Sequence, residues 1–187
     1  MMRGLVLALT LLCAVAQAAT PGQAAIASAH PLATEAGFEI LDQGGNAFDA
    51  AVAVAAALAV VEPYSAGMGG GGFWLLHRQD DGKQTMVDAR ETAPAAATED
   101  MYQDEDGKVV RDRAINGPLA AGIPGQAAAF DYLAGHYGEL PLSKTLAPAI
   151  RLAREGFPVE DHYRALAGYR REVLNRYPHA AAVFLDG

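Results

Sequence analysis

Arg90 is the side chain with the most suggestive chemistry, because it closes a predicted strand and is followed directly by the turn Glu91-Thr92-Ala93-Pro94. A guanidinium is a planar fork of N–H donors that binds a carboxylate in bidentate fashion, which lysine cannot do. Taken alone, the residues favour an ordinary ion pair of Arg90 with Asp88, Glu91 or another acid. Binding of a ligand carboxylate is the alternative.

A glycine-rich loop from Tyr64 to Gly72 is the second candidate, since Gly67, Gly69 and Gly72 satisfy the spacing of a dinucleotide-binding motif. That motif needs a strand before it and a helix after it, so that the pyrophosphate meets a helix N-terminus. Here a predicted helix precedes the loop and a predicted strand follows, so we expect no cofactor. The glycines would let backbone pass close to a neighbouring strand or to a ligand. The sequence favours a neighbouring strand but does not exclude a ligand.

The remaining polar groups predict neither a metal site nor an activated nucleophile. Ser28 and His30 would share one face of a strand without a third, orienting group, which leaves a catalytic triad unsupported. The acids at 104–107 lack the oxygen spacing and distal glutamate of an EF-hand, so a solvated turn is expected. The five histidines lack the paired spacing of zinc ligands, so we expect each to have a surface or capping role. They are His30, His77, His136, His162 and His179.

Two helices are predicted ahead of the glycine-rich loop and Arg90 in the chain. Apolar residues at helical spacing predict a helix from Pro31 to about Gln43, which Gly44-Gly45 ends. A second helix, capped by Asn46, is predicted from Ala47 to Val61. It is apolar nearly all round apart from Asp49 in its first turn, so we expect it to be buried as the central helix of a sandwich, with Asp49 in a structural role.

Strands are predicted at Ala24 to Ala29 and in a hairpin of Phe73 to Arg78 and Gln84 to Arg90, joined by Asp80-Asp81-Gly82. Three amphipathic helices are predicted downstream, at Pro124 to His136, Ser143 to Glu155 and Glu160 to Arg176. The apolar run Ala182 to Gly187 is expected to lead into a turn.

Composition restricts the partners. A formal net charge of −8 disfavours nucleic acid and anionic membrane surfaces. A 51% hydrophobic content with only 7% aromatic residues predicts one domain of helices packed through small side chains.

The first 18 residues have the pattern of a cleavable signal peptide: Arg3, an apolar run from Leu5 to Val15, and Ala16-Gln17-Ala18. The run is shorter than the roughly 20 residues that cross a bilayer, which disfavours an anchor. We expect a periplasmic or secreted protein that leaves the membrane after cleavage, with residues 19–23 as a linker. Its single cysteine, Cys13, would be removed, so neither a disulfide nor a thiol nucleophile is expected.

Several segments, in this order, resemble the large-subunit region of the gamma-glutamyltransferase (gamma-glutamyltranspeptidase) family. Each is weak alone, but the ordered set covers nearly all of residues 24–187 and is specific. The segments are Ser28-Ala29-His30-Pro31-Leu32-Ala33, Gly44-Gly45-Asn46-Ala47, Asp49-Ala50-Ala51-Val52, Val61-Glu62-Pro63, Gly67 to Phe73, Asp88-Ala89-Arg90-Glu91-Thr92-Ala93-Pro94, Gly122-Ile123-Pro124-Gly125, Leu146-Ala147-Pro148-Ala149-Ile150 and Gly156-Phe157-Pro158-Val159.

The resemblance implies an α+β fold, the αββα sandwich of N-terminal-nucleophile hydrolases, of which residues 24–187 would be the amino-terminal part. It also implies a precursor that cuts itself into two subunits and exposes a threonine nucleophile, activated by its own α-amine. That threonine would lie beyond residue 187, so no catalytic residue is expected on this chain, which alone would be inactive. The implied partners are the small subunit and a gamma-glutamyl substrate such as glutathione, with no cofactor and no metal.

Arg90 stands where the family places the arginine that holds the α-carboxylate of the gamma-glutamyl group, so the resemblance implies a substrate-binding role. Many relatives have an aromatic residue where this chain has Ala89. This difference would alter the local packing, but the guanidinium of Arg90 is kept. The glycine loop would be packing or cleft lining. Two alternatives stay open: a cephalosporin (glutaryl) acylase of the same fold, and a non-catalytic chain that acts only with a partner.

Overall fold

A computed structural model describes residues 24–185 of the chain. Between these bounds the chain forms seven α-helices, two 3₁₀ turns and one two-stranded antiparallel sheet, which confirms the mixed helix and strand content. The predicted signal peptide and linker, residues 1–23, lie outside the described residues, as do Asp186 and Gly187.

The first two helices form a hairpin whose connection is set by short-range caps. Helix α1 spans Pro31–Asp42 and helix α2 spans Ala47–Val61, so both match their predicted bounds closely. Gly44 has φ 89°, and Gly44 and Gly45 donate their N–H groups to carbonyls of the last turn of α1 at 3.0 Å each. This is a Schellman motif, and it needs a residue that tolerates the left-handed conformation at its first glycine.

Asn46 and Asp49 cap helix α2 and also bind a distant loop. Asn46 accepts N–H groups of the first turn, and the Asp49 carboxylate accepts the Asn46 N–H at 3.0 Å in return. The same carboxylate accepts the N–H of Glu139 at 2.9 Å, while the Asn46 amide donates to the Tyr137 carbonyl at 2.6 Å. Asp49 is only 1% exposed. The cap of one helix therefore also fixes the end of another.

The predicted β-hairpin is confirmed, with each strand beginning one residue earlier than expected. Strand β1 spans Gly72–Arg78 and strand β2 spans Lys83–Ala89, with Gly72 opposite Ala89. At the turn, the Asp81 carboxylate accepts a hydrogen bond from the Arg78 guanidinium and another from the Lys83 N–H. These bonds, the first more than the second, lower the pKa of Asp81 to about 2. The turn carboxylate is thus charged at any physiological pH.

Helix α3, Gln126–His136, connects the hairpin to the helical core. Its Phe130 is 1% exposed and meets Trp74 of β1 edge to face, with the ring centroids 5.9 Å apart. Leu133 from α3 and Val52 from α2 are also fully buried in this cluster. Aromatic pairs in this geometry add about 1 kcal/mol to the burial of their area. The inner face of the hairpin is therefore held against α3 and α2.

The helix predicted from Ser143 to Glu155 is wrong as a single element. The structure has two helices there, α4 (Leu142–Thr145) and α5 (Ala147–Glu155). Pro148 has no N–H and its ring would clash with the carbonyl four residues earlier, so the chain starts a new helix with proline in the first turn. Helix α5 then ends at Gly156, which has φ 80°.

The last two helices are α6, Asp161–Asn175, and α7, Pro178–Phe184. Helix α6 agrees with its prediction to one residue at each end. Pro178 starts a helix that three alanines continue, so the apolar run from residue 182 is helical as far as Phe184. The turn expected at the end of this run falls on Asp186 and Gly187, which lie outside the described residues.

The strand predicted at Ala24 to Ala29 is absent. Residues 24–28 have no regular secondary structure and pair with no strand among residues 24–185. Ser28 Oγ bonds instead to the His30 carbonyl at 2.9 Å and to Thr34 Oγ1 at 2.8 Å, at the start of α1. A strand exists only where a second backbone lies alongside to complete its ladder, which no local pattern guarantees.

Among the helices between residues 24 and 185, α2 and α6 are the longest, with 15 residues each. Within the described residues, none of the helices has the combination of length and apolar character that crossing a bilayer requires.

We expect Asp49→Ala to lower the free energy of unfolding by about 2–3 kcal/mol, because it removes a helix cap and the acceptor of the Glu139 N–H. Chemical denaturation measures the change. Asp42→Ala is the matched control, since Asp42 is exposed at the end of α1, and it should change stability by less than about 0.5 kcal/mol. Similar effects from both substitutions would contradict the structural role of Asp49.

Candidate functional site

Arg90 directly follows β2 and lies at an open cavity of about 440 Å³. The cavity has one guanidinium and one carboxylate, and most of its other walls are small or apolar. The lining residues are Gly69, Arg90, Glu91, Thr92, Ala93, Pro94, Ala97, Met101, Tyr102, Ala120, Ala121 and Gly122. In this wall the guanidinium is the group that can bind the carboxylate of a small solute.

The Arg90 guanidinium pairs with Glu91, one of the three possibilities that the sequence left open. Its Nε lies 3.1 Å from Glu91 Oε2, and the two side chains are 59% and 32% exposed. Asp88 has a different role, because its carboxylate accepts the backbone N–H of Arg90 at 3.0 Å. An exposed pair of this kind contributes less than about 1 kcal/mol to stability.

The ion pair engages Nε, and within residues 24–185 the two terminal amino groups of Arg90 donate no hydrogen bond. These terminal groups form the edge of the fork that binds a carboxylate in bidentate fashion. The arrangement therefore leaves Arg90 able to bind an anion while Glu91 holds the other side of its guanidinium.

Glycines from two separate segments hold the backbone beneath Arg90. A Cβ atom on Gly71 or on Gly125 would collide with the carbonyl oxygen of Ala89. A Cβ on Gly122 would come within 3.0 Å of the Glu91 Cβ. For Gly71 the structure therefore supports the expected close approach to a neighbouring strand, whereas Gly69 lines the cavity.

Backbone hydrogen bonds join the same two segments. Thr92 and Ile123 exchange N–H to carbonyl bonds of 3.1 and 2.8 Å, and the Gln126 N–H donates to the Gly70 carbonyl at 3.1 Å. The end of β2 is thus enclosed between the glycine loop and the start of α3. This enclosure fixes the direction in which the Arg90 side chain leaves the backbone.

A second cavity of about 410 Å³ lies beside the first and shares Gly69 and Glu91 with it. Tyr64 lines its far side and meets the rings of His162 and Tyr163 edge to face, at 5.4 and 5.6 Å. Burial, with the nearby Glu62 carboxylate, raises the pKa of the Tyr64 hydroxyl, so this side chain is neutral at physiological pH. Glu91 is the charged group common to the two cavities.

Tyr102 is a wall residue that the sequence analysis missed. Its hydroxyl donates to the Leu119 carbonyl at 3.2 Å, and an isolated bridge between Gln103 and Val109 holds the loop that carries it. The sequence contains no periodic pattern in this stretch. The nearest available signal was the tight turn at 104–107, which brings the two sides of the loop together.

The other predicted site residues have structural roles. His30 Nδ1 accepts the Leu32 N–H at 3.2 Å and caps α1, which confirms a capping role. Ser28 bonds to backbone and to a threonine, so it does not form a triad with His30. Asp104 accepts the N–H groups of Asp106 and Lys108 in an exposed turn. In the described part of the chain, no three His, Cys, Asp or Glu side chains are grouped to hold a metal ion.

Comparison with known proteins gives a consistent result. The sequence model of the Gamma-glutamyltranspeptidase family matches residues 33–187. The Glutathione hydrolase proenzyme of Escherichia coli (strain K12) is 44% identical over 163 residues, which are 87% of this chain and 28% of that protein. The Acylase ACY 1 proenzyme of Pseudomonas sp. (strain V22) is 42% identical over 176 residues, which are 90% of this chain and 31% of that protein.

Among solved structures, Helicobacter pylori gamma-glutamyltranspeptidase superposes with a TM-score of 0.83 at 38% identity, and the match covers 88% of this chain and 47% of that one. The described helices and hairpin are thus similar to the corresponding part of that enzyme. The chain spans less than a third of the length of the two curated relatives named above.

We expect Gly71→Ala and Gly125→Ala to lower the free energy of unfolding by about 1–3 kcal/mol each, because the added methyl group meets the Ala89 carbonyl and not a movable side chain. Thermal or urea unfolding measures the loss. Gly72→Ala is the control, since a Cβ on Gly72 meets nothing within 4 Å. A loss as large for Gly72→Ala as for Gly71→Ala would refute the close-packing argument.

Proposed function

Because this chain belongs to the gamma-glutamyltranspeptidase family, we propose that it supplies the donor-binding part of an enzyme that hydrolyses glutathione and transfers gamma-glutamyl groups. The observation that supports this most directly is the Arg90 fork, which is held from one side by Glu91 and free on its terminal edge beside a cavity. In this proposal Arg90 binds the α-carboxylate of the gamma-glutamyl donor.

Charge and geometry together give this role its selectivity. A carboxylate that accepts two parallel N–H bonds from a guanidinium is fixed in orientation as well as in position. The side chains of Ala93, Pro94 and Ala120 line the cavity near Arg90 and offer no hydrogen-bond donor that would compete with the guanidinium for the carboxylate. Glu91 would keep the guanidinium in one rotamer while the donor exchanges.

The nucleophile belongs to polypeptide outside these 187 residues. In the proposal, a threonine exposed by self-cleavage attacks the gamma-amide carbonyl. Its own α-amine accepts the hydroxyl proton and passes it to the amine of the donor, which leaves. Water or an acceptor amine then attacks the gamma-glutamyl ester and regenerates the threonine. Backbone N–H groups would stabilise the tetrahedral oxyanion. This chain contributes the donor site and would be inactive alone.

The second layer of the proposed αββα sandwich is supported by the outer face of the hairpin. Phe73, Leu75 and Met86 point away from α3 and are 61%, 78% and 65% exposed. A sheet that is apolar on both faces is typical of one packed between two layers. The same exposed face would suit the alternative in which the chain acts only as a binding module for a partner.

For the cellular location we propose export. Residues 1–18 would act as a cleaved signal peptide and residues 19–23 as a linker to the folded part, which places the enzyme in the periplasm or outside the cell.

An acylase that removes glutaryl side chains of cephalosporins is the second candidate. The observation in its favour is the 42% identity to Acylase ACY 1 proenzyme over 90% of this chain. A glutaryl group also ends in a carboxylate, so Arg90 could bind it in the same way. The two donors differ in the α-ammonium group, which only the gamma-glutamyl donor carries.

In the protein expressed from the complete open reading frame, Arg90→Ala should lower kcat/KM for glutamate release from a gamma-glutamyl anilide about 100-fold, through loss of a charge-assisted bidentate pair. Arg90→Lys should restore little, because lysine lacks the planar fork. Arg78→Ala is the control, since Arg78 pairs with Asp81 in the distant hairpin turn. Equal losses from Arg90→Ala and Arg78→Ala would exclude a special role for Arg90.

A competition between gamma-glutamyl and glutaryl donors at equal concentration separates the two candidate functions. We expect the gamma-glutamyl donor to be consumed preferentially, since a paired carboxylate beside Arg90 can also attract its ammonium group. Quantification of both released amines measures the preference. Faster release from the glutaryl donor would favour the acylase.

A further inference from the structure

Most of the lining of the Arg90 cavity comes from one irregular segment, residues 93–122, which we call the wall loop. Its helical structure is limited to two short 3₁₀ turns, Arg111–Ala114 and Pro118–Ala120. None of the residues from 93 to 122 is buried. A segment that buries so little apolar surface opens locally at low cost in free energy. The position of the wall loop therefore depends on its hydrogen bonds.

Two hydrogen bonds connect Tyr102 with the second half of the wall loop. The Val110 N–H donates to the Tyr102 carbonyl at 2.8 Å, and the Tyr102 hydroxyl donates to the Leu119 carbonyl at 3.2 Å. The Arg113 guanidinium donates to the carbonyl of Gln103, the residue next to Tyr102. The place of Tyr102 in the cavity wall thus depends on where the second half of the loop lies.

Helix α6 holds that second half through a short polar network. Arg170 Nη2 donates to Asn116 Oδ1 at 2.6 Å, and Asn116 Nδ2 donates in turn to Asp112 Oδ1 at 2.7 Å. Nη1 of Arg176 lies 3.5 Å from the other oxygen of Asp112. Both ends of the Asn116 amide are engaged, which fixes its orientation. Arg170 makes the shorter of the two contacts from α6.

The beginning of α6 is fixed on the other side of the site. His162 and Tyr163 pack against Tyr64, the first residue of the glycine-rich loop, and Phe157 meets Tyr163 with the ring centroids 6.0 Å apart. At 1.5 Å per residue, the 15 residues of α6 span about 22 Å. The helix therefore extends from the glycine-rich loop to the wall loop, and its fixed beginning gives Arg170 a defined position.

We propose that Arg170 is a positioning residue of the donor site: through Asn116 it fixes Tyr102 in the wall of the Arg90 cavity and thereby raises the affinity for the gamma-glutamyl donor. The inference rests on the proposed function, because it takes the donor as the occupant of this cavity. Arg170 is not among the lining residues, so it acts through the wall loop.

A purely stabilising role for Arg170 is disfavoured. The residue is exposed, and α6 has no buried residue among its fifteen. A single exposed contact contributes little to the stability of the whole fold. Its loss should instead be felt locally, in the wall loop. We therefore expect a change in donor affinity without a loss of folded protein.

In the mature protein from the complete open reading frame, Arg170→Ala should raise KM for the gamma-glutamyl anilide about 3-fold to 10-fold and change kcat less than about 2-fold, because it weakens donor binding and leaves the attacking group untouched. Arg170→Lys should restore most of the affinity, since an amide oxygen needs one N–H donor and no planar fork. Arg171→Ala is the matched control, because Arg171 lines a different cavity beside Phe184. Equal KM values for Arg170→Ala and Arg171→Ala would overturn the proposal.

The link through Asn116 is tested by Asn116→Ala, alone and together with Arg170→Ala. If both act through one contact, the double variant should have the KM of either single variant to within about 2-fold. Effects that multiply independently would overturn the link. Thermal unfolding of each variant should stay within about 2 °C of the unsubstituted protein. A rise in KM that appears only with a lower unfolding temperature would assign Arg170 a stabilising role and overturn the positioning role.

Hydrogen exchange at Val110 reports on the same contact without turnover. Its N–H bonds to the Tyr102 carbonyl, so it should exchange about 10-fold faster in Arg170→Ala, whereas the Glu139 N–H, which bonds to Asp49, should keep its rate. Faster exchange at Val110 in a protein without turnover would reject the proposed function and retain the fixing of Tyr102 by Arg170. Turnover with unchanged KM and unchanged exchange at Val110 would reject the role of Arg170 and retain the function.

Discussion

The carbonyl oxygen of Ala89 is approached so closely by Gly71 and Gly125 that no side chain fits at either glycine. This contact joins the glycine loop, the end of strand β2 and the start of helix α3. Because all three meet at the residue before Arg90, the direction of the arginine side chain is set by backbone packing. The cavity, the ion pair with Glu91 and the free edge of the guanidinium all depend on this arrangement.

Helix α2 is the second constraint on the fold, because most of its surface is apolar. It buries seven of its fifteen residues against the other helices and the hairpin. Its capping residues, Asn46 and Asp49, reach across to the loop after α3, which ties the two helices at their ends. The face that remains half-buried adjoins residues 24–28. Within the described residues, the expectation of a buried central helix is therefore met on one side of α2 and not on the other.

Much of the framework could be predicted because its signals are local. The Schellman motif at Gly44-Gly45 and the capping box at Asn46 and Asp49 involve residues at most five apart, and the bounds of α1 and α2 followed from them. The hairpin followed from its turn residues in the same way. The break at Pro148 was also local but was overlooked, since the amphipathic pattern continues across it. The substrate role of Arg90 came from a family resemblance and stays a prediction.

The sequence by itself determined where α1, α2 and α6 begin and end to within a residue, that α2 must bury apolar surface, and that an arginine lies at the end of the second strand. These features depend on residues that are close in the sequence, so helix caps, turn residues and apolar periodicity predict them without knowledge of long-range contacts. Only the tertiary structure decided that Glu91 and not Asp88 pairs with the Arg90 guanidinium, that Tyr102 lines the cavity, and that residues 24–28 lack a ladder. The position of Tyr102 and the missing ladder depend on how distant parts of the backbone are brought together. The choice between the two acids near Arg90 depends on the side-chain directions that this backbone packing sets. The types of adjacent residues specify neither.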